Sequence, residues 1–193
     1  MTFFFDLCSP WTYLAAERAD RTFGAMRWCP ASAYVLECAA WGRRGRRPPA
    51  SAVRAAAERR AAALQMPLVW PESWPWSGVL AMRVASLAAE QRRAAAFVLA
   101  AGRLAFCGGY DLDDPETFVE AAAAAGIGLD AALEAARDET RDVAIARTAL
   151  RLARRGAGEL PVVGVGRTLF GGERRLPDAA AAAAGRMWVP HRR

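Results

Sequence analysis

The residues best suited to chemistry lie in one turn of chain near the amino terminus. Residues 3–16 read FFFDLCSPWTYLAA, an aromatic run followed by Ser9 and Pro10 at the start of an amphipathic segment. Serine is a preferred helix N-cap and proline fits the first helical position, so we expect a helix to begin here. The Ser9 hydroxyl would then stand at the positive end of that helix, where an anion or a thiolate is favoured.

Other nucleophiles and metal ligands are sparse. The four cysteines form no C-x-x-C or other metal-ligand spacing, and the single histidine, His191, lies in a polar tail. The sequence therefore predicts neither a metal site nor a Ser-His-Asp triad. Cys8 could act as a reactive thiol at the same helix terminus, but a small buried hydrophobe is the preferred interpretation, as it is for Cys29, Cys38 and Cys107.

Composition limits the class of protein. The chain has 193 residues, enough for one domain or one domain with a large insertion, and 54% of them are hydrophobic. The net charge of +6 comes from arginines spread along helical patterns without a nucleic-acid-binding motif, so we expect solvated arginines and no nucleic-acid partner. No segment has the pattern of a leader or a membrane span, and we expect a cytoplasmic protein with reduced thiols.

Both ends of the chain have the pattern of strands packed with helices. The first part reads as strand, helix and strand over residues 2–7, 10–24 and 26–30, a length typical of a right-handed parallel crossover. Near the other end, residues 160–165 and 168–170 are apolar strands joined at a tight hairpin, and an alanine-rich helix follows from Pro177-Asp178.

The middle of the chain is predicted to be helical. Its loops are GRRGRRPPAS (42–51) and the irregular WPESWPW segment (70–76). Helices are predicted over residues 51–65 with Ser51 as cap, 78–106 as one long helix or a broken pair, Asp114-Pro115 to Gly126, 130–136 and 138–155. This order predicts an α/β thioredoxin-like domain (β-α-β and β-β-α) at 1–40 and 157–193, with a large all-helical insertion at 41–156.

The two end motifs carry a family resemblance. FFFDLCSPWTYLA and ELPVVGVGRTLFGGERRL resemble the corresponding segments of 2-hydroxychromene-2-carboxylate isomerases and of the related kappa-class glutathione transferases. Both families belong to the DsbA-like branch of the thioredoxin fold. Two segments between the ends, RRPPA (46–50) and WPWSGVLAMR (74–83), match more loosely.

The resemblance implies how the active site is built. It places Ser9 where related oxidoreductases have their nucleophilic cysteine, and Thr12 at the resolving position. Two hydroxyls cannot cycle through a disulfide, so Ser9 is expected to hold an incoming thiol instead. The resemblance also equates Pro161 with the cis-proline that faces the active site, and Leu160 would offer its backbone to a peptide-like cofactor.

Glutathione is the cofactor that the resemblance implies. The residues expected to bind it are Pro10, Trp11, Arg46, Arg47, Leu160, Pro161 and Glu173. Three segments depart from the family pattern. Arg46 and Arg47 replace an asparagine and a lysine, and Pro75-Trp76-Ser77 replaces P-x-N. In the third, Arg174 replaces the aspartate that receives the amine of glutathione. Glu173, one position earlier, would substitute for that aspartate if the loop shifts.

The resemblance further implies a flat aromatic substrate. Trp74 and Trp76 are expected to line its pocket, although packing between domains would also explain these residues. The predicted activity is a glutathione-dependent isomerisation of an aromatic pyruvate-like compound by reversible thiol addition, in a homodimer. The alternatives are a kappa-like glutathione transferase, a DsbA-like thiol-disulfide oxidoreductase using Cys8, and a repurposed non-catalytic binding protein.

Overall fold

A four-stranded mixed sheet is formed by the two ends of the chain. The computed structural model describes residues 1–44 and 48–187. The strands β1 (Thr2–Phe5), β2 (Arg27–Pro30), β3 (Val162–Val165) and β4 (Thr168–Gly171) lie in the order β2-β1-β3-β4. β1 pairs with β2 in parallel, whereas β3 is antiparallel to both β1 and β4. The expected combination of a parallel crossover and a hairpin in one sheet is thus confirmed.

Helices account for most of the remaining described chain. They are α1 (Pro10–Phe23), α2 (Ala33–Arg44), α3 (Ala50–Leu64), α4 (Val79–Glu90), α5 (Ala94–Phe106), α6 (Pro115–Ala124), α7 (Leu129–Arg137), α8 (Thr140–Arg154) and α9 (Leu176–Met187), with a single 3-10 turn at Glu173–Arg175. None of the described helices is both long and apolar enough to cross a membrane.

The sheet buries a different hydrophobic cluster on each face. Phe3 and Phe5 point to one face, where they pack against Trp28 and against apolar residues of α1, α4 and α5. Phe4 points to the other face, towards a smaller cluster built from α2, α8 and Val162. Because side chains alternate along a strand, a single aromatic run can serve both layers. β1, which leads into the turn at Asp6–Ser9, is therefore fixed by core packing on both of its faces.

Several helix predictions are confirmed, and two require correction. The long segment 78–106 is a broken pair, α4 and α5, and α6 begins behind Asp114 as expected. The loop assigned to 42–51 was wrong at its start, because α2 extends to Arg44. The Ser51 cap was also wrong, since α3 begins one residue earlier with Pro49 at the capping position.

The helix α2 starts through contacts that local sequence does not show. The Ser32 hydroxyl accepts a hydrogen bond from the Val35 N–H at 3.2 Å, which is an ordinary serine cap. The Ala33 N–H is instead bound by the Asp6 carboxylate at 2.7 Å, from 27 positions earlier in the chain. The domain boundaries stay predictions: a sheet domain at 1–40 and 157–193, and a helical insertion at 41–156.

Candidate functional site

Ser9 lies at the N-cap of α1, and its side chain is not used for capping. Its backbone is extended (φ −93°, ψ 119°), and its carbonyl accepts the Thr12 N–H at 3.0 Å. The hydroxyl makes no capping hydrogen bond, and it has no other hydrogen-bond partner among the described residues. The side chain is half-buried. A hydroxyl at a helix N-terminus that the fold leaves unbonded is available to a ligand.

Asp6 fixes the turn that presents Ser9. Its side chain is buried, one carboxylate oxygen accepts the Cys8 N–H at 2.9 Å, and the other accepts the Ala33 N–H. Its own N–H donates to the Thr12 hydroxyl at 3.3 Å. Burial raises the pKa of the Asp6 carboxyl above its ordinary value, and the two N–H donors only partly offset that effect. Thr12, assigned to the resolving position, thus helps to close this turn.

Cys8 lies beside Ser9 in an environment that disfavours a thiolate. Its sulfur donates a hydrogen bond to the Ser77 carbonyl at 3.2 Å. Burial raises the pKa of the thiol well above its usual range, and the nearby carboxylates of Asp6, Asp113 and Asp111 raise it further. Since the thiolate is the nucleophile, Cys8 is a poor candidate for thiol-disulfide exchange at neutral pH.

The aromatic segment packs against the Cys8–Ser9 turn. The Trp74 indole N–H donates to the Cys8 carbonyl at 3.1 Å, and both Trp74 and Trp76 are 8% exposed. The Trp76 ring packs on Phe106 with 5.6 Å between ring centroids. The structure therefore brings Trp74 and Trp76, the residues expected to line a substrate pocket, to the turn that carries Ser9. Trp11 follows this turn on α1 and is half-buried against the same core.

Gly78 allows the aromatic segment to approach Cys8 closely. Its φ of +60° is unfavourable for residues with a side chain, and a Cβ at this position would clash with the Cys8 sulfur. Asp113 holds the same backbone from the other side, because its carboxylate accepts the N–H groups of Ser77 at 3.0 Å and of Gly78 at 2.8 Å. Gly78 is the N-cap of α4, so the Asp113 carboxylate also lies at the positive end of that helix.

A second group of unbonded polar atoms lies before β3. The Leu160-Pro161 peptide bond is cis, as the resemblance implies. Among the described residues, neither the N–H nor the carbonyl of Leu160 has a hydrogen-bond partner. The Pro161 carbonyl accepts the Gly172 N–H at 2.8 Å, and the exposed side chain of Glu159 lies over Gly172, where a Cβ would come 2.6 Å from its carboxylate oxygen.

Glu173 is enclosed by two arginines. Its side chain is 1% exposed, and its carboxylate accepts two hydrogen bonds from the Arg60 guanidinium at 2.7 and 2.8 Å. Arg18 of α1 forms a further ion pair with it. The 3-10 turn directs Glu173 inward and leaves Arg174 exposed. The expected role of Glu173 in binding an amine stays a prediction, and its charge is already balanced within the protein.

Some residues of this region were not identified from the sequence alone. Asp113 and Glu159 were not singled out. The acidic DLDDP segment (111–115) contains Asp113, but its sequence predicted only the start of a helix. Arg46 and Arg47, expected to contact the cofactor, lie outside the described residues. In the described part of the chain, no group of three or more histidine, cysteine, aspartate or glutamate residues could hold a metal ion.

A mixed sheet with β-α-β at one end of the chain and β-β-α at the other defines a thioredoxin-like fold. The chain belongs to the family of DSBA-like thioredoxin domains, whose profile matches residues 1–183. The expected fold and the expected branch of that fold are therefore confirmed.

Solved structures agree with this assignment. The chain is similar to 2-hydroxychromene-2-carboxylate isomerase, with a TM-score of 0.77 and 20% identity over 96% of this chain and 94% of that one. It is also similar to a "probable DsbA oxidoreductase" from Streptomyces coelicolor, with a TM-score of 0.69 and 17% identity over 100% and 92% of the two chains. A comparison with curated protein sequences finds no match. At these identities, the structural likeness shows the fold alone.

Proposed function

We propose that the protein is a glutathione-dependent isomerase of the 2-hydroxychromene-2-carboxylate isomerase type, acting on an aromatic pyruvate-like substrate. One observation carries the proposal: the Ser9 hydroxyl lies unbonded at the N-terminus of α1, where a dithiol oxidoreductase of this family would have its nucleophilic cysteine. A hydroxyl there can hold a thiol without being oxidised. The raised pKa of Cys8 argues against the alternative of an oxidoreductase that uses this residue.

Glutathione, when bound, supplies a thiol that adds to a conjugated double bond, allows rotation about the resulting single bond, and leaves again unchanged. The Ser9 hydroxyl donates a hydrogen bond to the sulfur position, and the N-terminus of α1 stabilises negative charge there. Pro10 and Trp11 flank this position as the first residues of the helix.

The rest of the cofactor would be held by backbone and by charge. The unbonded N–H and carbonyl of Leu160, beside Pro161, match the two hydrogen bonds that an extended peptide-like molecule offers. Arg46 and Arg47 are proposed to pair with a carboxylate of the cofactor. For the amine, the exposed carboxylate of Glu159 is a better partner than the enclosed Glu173, because Glu173 would have to leave its two arginines.

The substrate would lie against the aromatic segment. Trp74 and Trp76 lie beside the turn that carries Ser9, and because each is 8% exposed, the substrate would contact only the exposed edge of these rings. We further propose that the protein acts as a homodimer in the cytoplasm, in the breakdown of aromatic compounds.

A second candidate function is a binding protein derived from such an enzyme. It is favoured by the Arg18–Glu173–Arg60 cluster, in which the carboxylate that the resemblance assigns to the amine is already paired with two arginines. In that case Ser9 would have lost its thiol partner. Binding of glutathione separates the two candidates.

The test combines calorimetry with an isomerase assay. Wild-type protein is titrated with glutathione up to millimolar concentration, and the rate of isomerisation of a hydroxybenzylidene-pyruvate is measured with and without glutathione. We expect glutathione to bind, and Ser9→Ala to lower the glutathione-dependent rate by about 100-fold, because a positioned donor at developing charge has effects of that order. Ser51→Ala on the exposed surface of α3 is the matched control and should leave the rate unchanged.

Three results would contradict the isomerase proposal. An absence of glutathione binding would favour the binding protein. An isomerisation rate independent of thiol would reject the proposed chemistry. A Ser9→Ala variant with the wild-type rate would remove Ser9 from the mechanism.

A further inference from the structure

A cavity away from the Ser9 turn opens beside the edge strand β2. It has a volume of about 960 Å³ and lies between β2, the junction of α4 with α5, and α8. β2 is at the end of the sheet order β2-β1-β3-β4, so no described strand pairs with its outer edge. Among the described residues that line the cavity, none belongs to the Ser9 turn. Its volume falls within the range of about 300–1,000 Å³ that is typical of small-molecule sites.

The wall of this cavity is mainly aliphatic. Met26, which precedes β2, Ile145 of α8 and alanines of α4, α5 and α8 supply most of it. Trp28 also lines the cavity, but it is 7% exposed and its ring packs on Phe3. A flat ligand would therefore find little ring surface for stacking, whereas a flexible hydrocarbon chain can follow small and irregular side chains. The wall favours a ligand with an aliphatic body.

Ser86 places an unused hydrogen-bond donor in the wall. The residue is 8% exposed, and its hydroxyl accepts a long hydrogen bond from Arg141 at 3.5 Å. A serine inside a helix can donate to the carbonyl one turn earlier, but the Ser86 hydroxyl donates to no described residue. Thr148, which is also buried in this wall, does donate, to the Ala144 carbonyl at 3.0 Å. Since buried hydroxyls are normally paired, the hydrogen of Ser86 is available to a ligand acceptor.

The charges at the cavity favour an anion. Arg27 and Arg92 line it, are exposed, and form no side-chain hydrogen bond or ion pair with other described residues. Burial raises the pKa of the Cys29 thiol in the same wall, and the positive charges of Arg27 and Arg151 offset part of that rise. These charges therefore act at the cavity wall. Glu90 is the one carboxylate among the described lining residues, and a guanidinium group already donates to it at 2.9 Å.

We propose that this cavity is a second ligand site, which binds a medium-chain aliphatic carboxylic acid such as octanoate. The hydrocarbon chain lies against Met26 and Ile145, an oxygen of the ligand accepts the hydrogen of Ser86, and Arg27 and Arg92 balance the negative charge. A cationic ligand with the same chain is repelled by both arginines. The site uses no residue of the Ser9 turn, so the inference goes beyond the proposed function and does not depend on glutathione.

The first test varies the charge of the ligand and keeps its chain constant. Octanoate, octan-1-ol and octylammonium share one hydrocarbon chain and differ in the polar group. Amide NMR titrations of the full chain at low ionic strength, where surface charges are least screened, measure the dissociation constant of each probe. We expect octanoate to bind about tenfold more tightly than octan-1-ol, because its charge is balanced by arginines, and octylammonium not to bind.

The arginines are tested by removing their charge. In the double variant Arg27→Gln/Arg92→Gln, the ratio of octanoate affinity to octan-1-ol affinity should fall from about tenfold to about one. The matched control is Arg59→Gln/Arg174→Gln, which removes two exposed arginines that do not line the cavity. This control should keep the ratio. A ratio that survives the first double variant, or falls equally in the control, overturns the inference.

The donor is tested separately at Ser86. Ser86→Ala should weaken the binding of octanoate and of octan-1-ol alike by about fivefold, the effect of one hydrogen bond, because both probes carry an acceptor oxygen. Thr148→Val is the matched control: it removes a hydroxyl from the same wall, but that hydroxyl already donates within the protein. Equal losses in the two variants, or no loss in Ser86→Ala, would contradict the role given to Ser86.

The position of the ligand is read from the wild-type protein, so this result stands even if a variant does not fold. With octanoate, the largest amide shifts are expected at Trp28, Cys29 and Ala94, and none at Ser9 or Trp11. Largest shifts at the Ser9 turn, or shifts scattered over the surface, would overturn the inference. None of these titrations contains glutathione, so a failure of thiol-dependent isomerisation rejects the proposed function alone.

Discussion

Two buried carboxylates, Asp6 and Glu173, are satisfied in opposite ways. Asp6 accepts hydrogen bonds from neutral backbone N–H groups and has no ion-pair partner among the described residues, whereas Glu173 is bound by two guanidinium groups. The turn around Asp6 leaves the Ser9 hydroxyl unbonded, while the turn around Glu173 directs its side chain inward. The amino-terminal turn thus leaves its hydroxyl available for a ligand, whereas the carboxy-terminal turn uses its charge within the fold.

The largest expected effect is on the Glu173 side of the comparison. Glu173→Ala removes the carboxylate that binds both Arg18 and Arg60, and leaves two partly buried cations facing each other. Loss of one partner of a buried ion pair costs about 3–5 kcal/mol of unfolding free energy. Urea unfolding measures this loss, and Glu159→Ala, an exposed carboxylate, should change stability by less than about 0.5 kcal/mol. A loss in Glu173→Ala as small as that expected for Glu159→Ala would show that the Arg18–Glu173–Arg60 ion pairs do not stabilise the fold.

A pH-dependent effect is expected on the Asp6 side. Burial places the folded-state pKa of Asp6 above the ordinary value of 3.8, so the folded protein binds this proton more tightly than the unfolded chain does. The stabilisation from this proton is fully present below pH 3.8 and is lost as the pH rises through the folded pKa. The free energy lost is about 1.4 kcal/mol for each pH unit that separates the folded-state pKa from the unfolded-state pKa.

Asp6→Asn removes this titration. The stability of wild type relative to Asp6→Asn should therefore decrease as the pH rises from about 3.5 to about 7, as measured by urea unfolding at each pH. The opposite slope would mean that the two N–H donors dominate over burial and that the pKa of Asp6 is lowered.

A smaller effect distinguishes Ser9 from a true capping residue. Asp114 caps α6 by accepting the Glu116 N–H at 3.0 Å, whereas Ser9 makes no such bond to α1. Asp114→Ala should therefore cost about 1 kcal/mol of stability, and Ser9→Ala less than about 0.5 kcal/mol. Thermal or urea unfolding provides both values. A full capping loss at Ser9 would show that its hydroxyl serves the helix, and would weaken its assignment as a ligand-binding group.

The smallest effect concerns the reactivity of Cys8. Its raised pKa leaves almost no thiolate at neutral pH, while Cys38 is exposed on α2. Iodoacetamide should therefore alkylate Cys38 at least about tenfold faster than Cys8, as followed by peptide mass spectrometry. Faster labelling of Cys8 would restore the oxidoreductase alternative.

The sequence predicted the amino-terminal turn better than the carboxy-terminal one for a physical reason. Ser9-Pro10 is a local helix-start signal, and its meaning does not depend on distant residues. Glu173 takes its partners from Arg18 and Arg60, which are 155 and 113 positions away, and no spacing rule reveals such pairs. The order of strands and helices along the chain followed from the patterns at the two ends, because apolar runs and turn residues are also local signals.

The helix α2 was missed for a related reason. One of its first N–H groups is bound by Asp6, 27 positions earlier, so part of its start signal lies at the end of β1. Within the site, the sequence nominated Trp74 and Trp76 together but could not separate them. The two indole N–H groups differ in hydrogen bonding, because that of Trp74 donates to the Cys8 carbonyl and that of Trp76 has no partner among the described residues. Only the folded chain shows this difference.

The position of Asp6 has a mechanical consequence. One of its carboxylate oxygens is bound to the Cys8 N–H and the other to the first N–H of α2, so a single side chain connects the Ser9 turn to a helix on the opposite face of the sheet. A ligand that displaces this turn must pull on the start of α2 or break one of the two bonds. Binding of a ligand at Ser9 should therefore change the hydrogen-exchange protection of the Ala33 N–H, on the other side of the sheet.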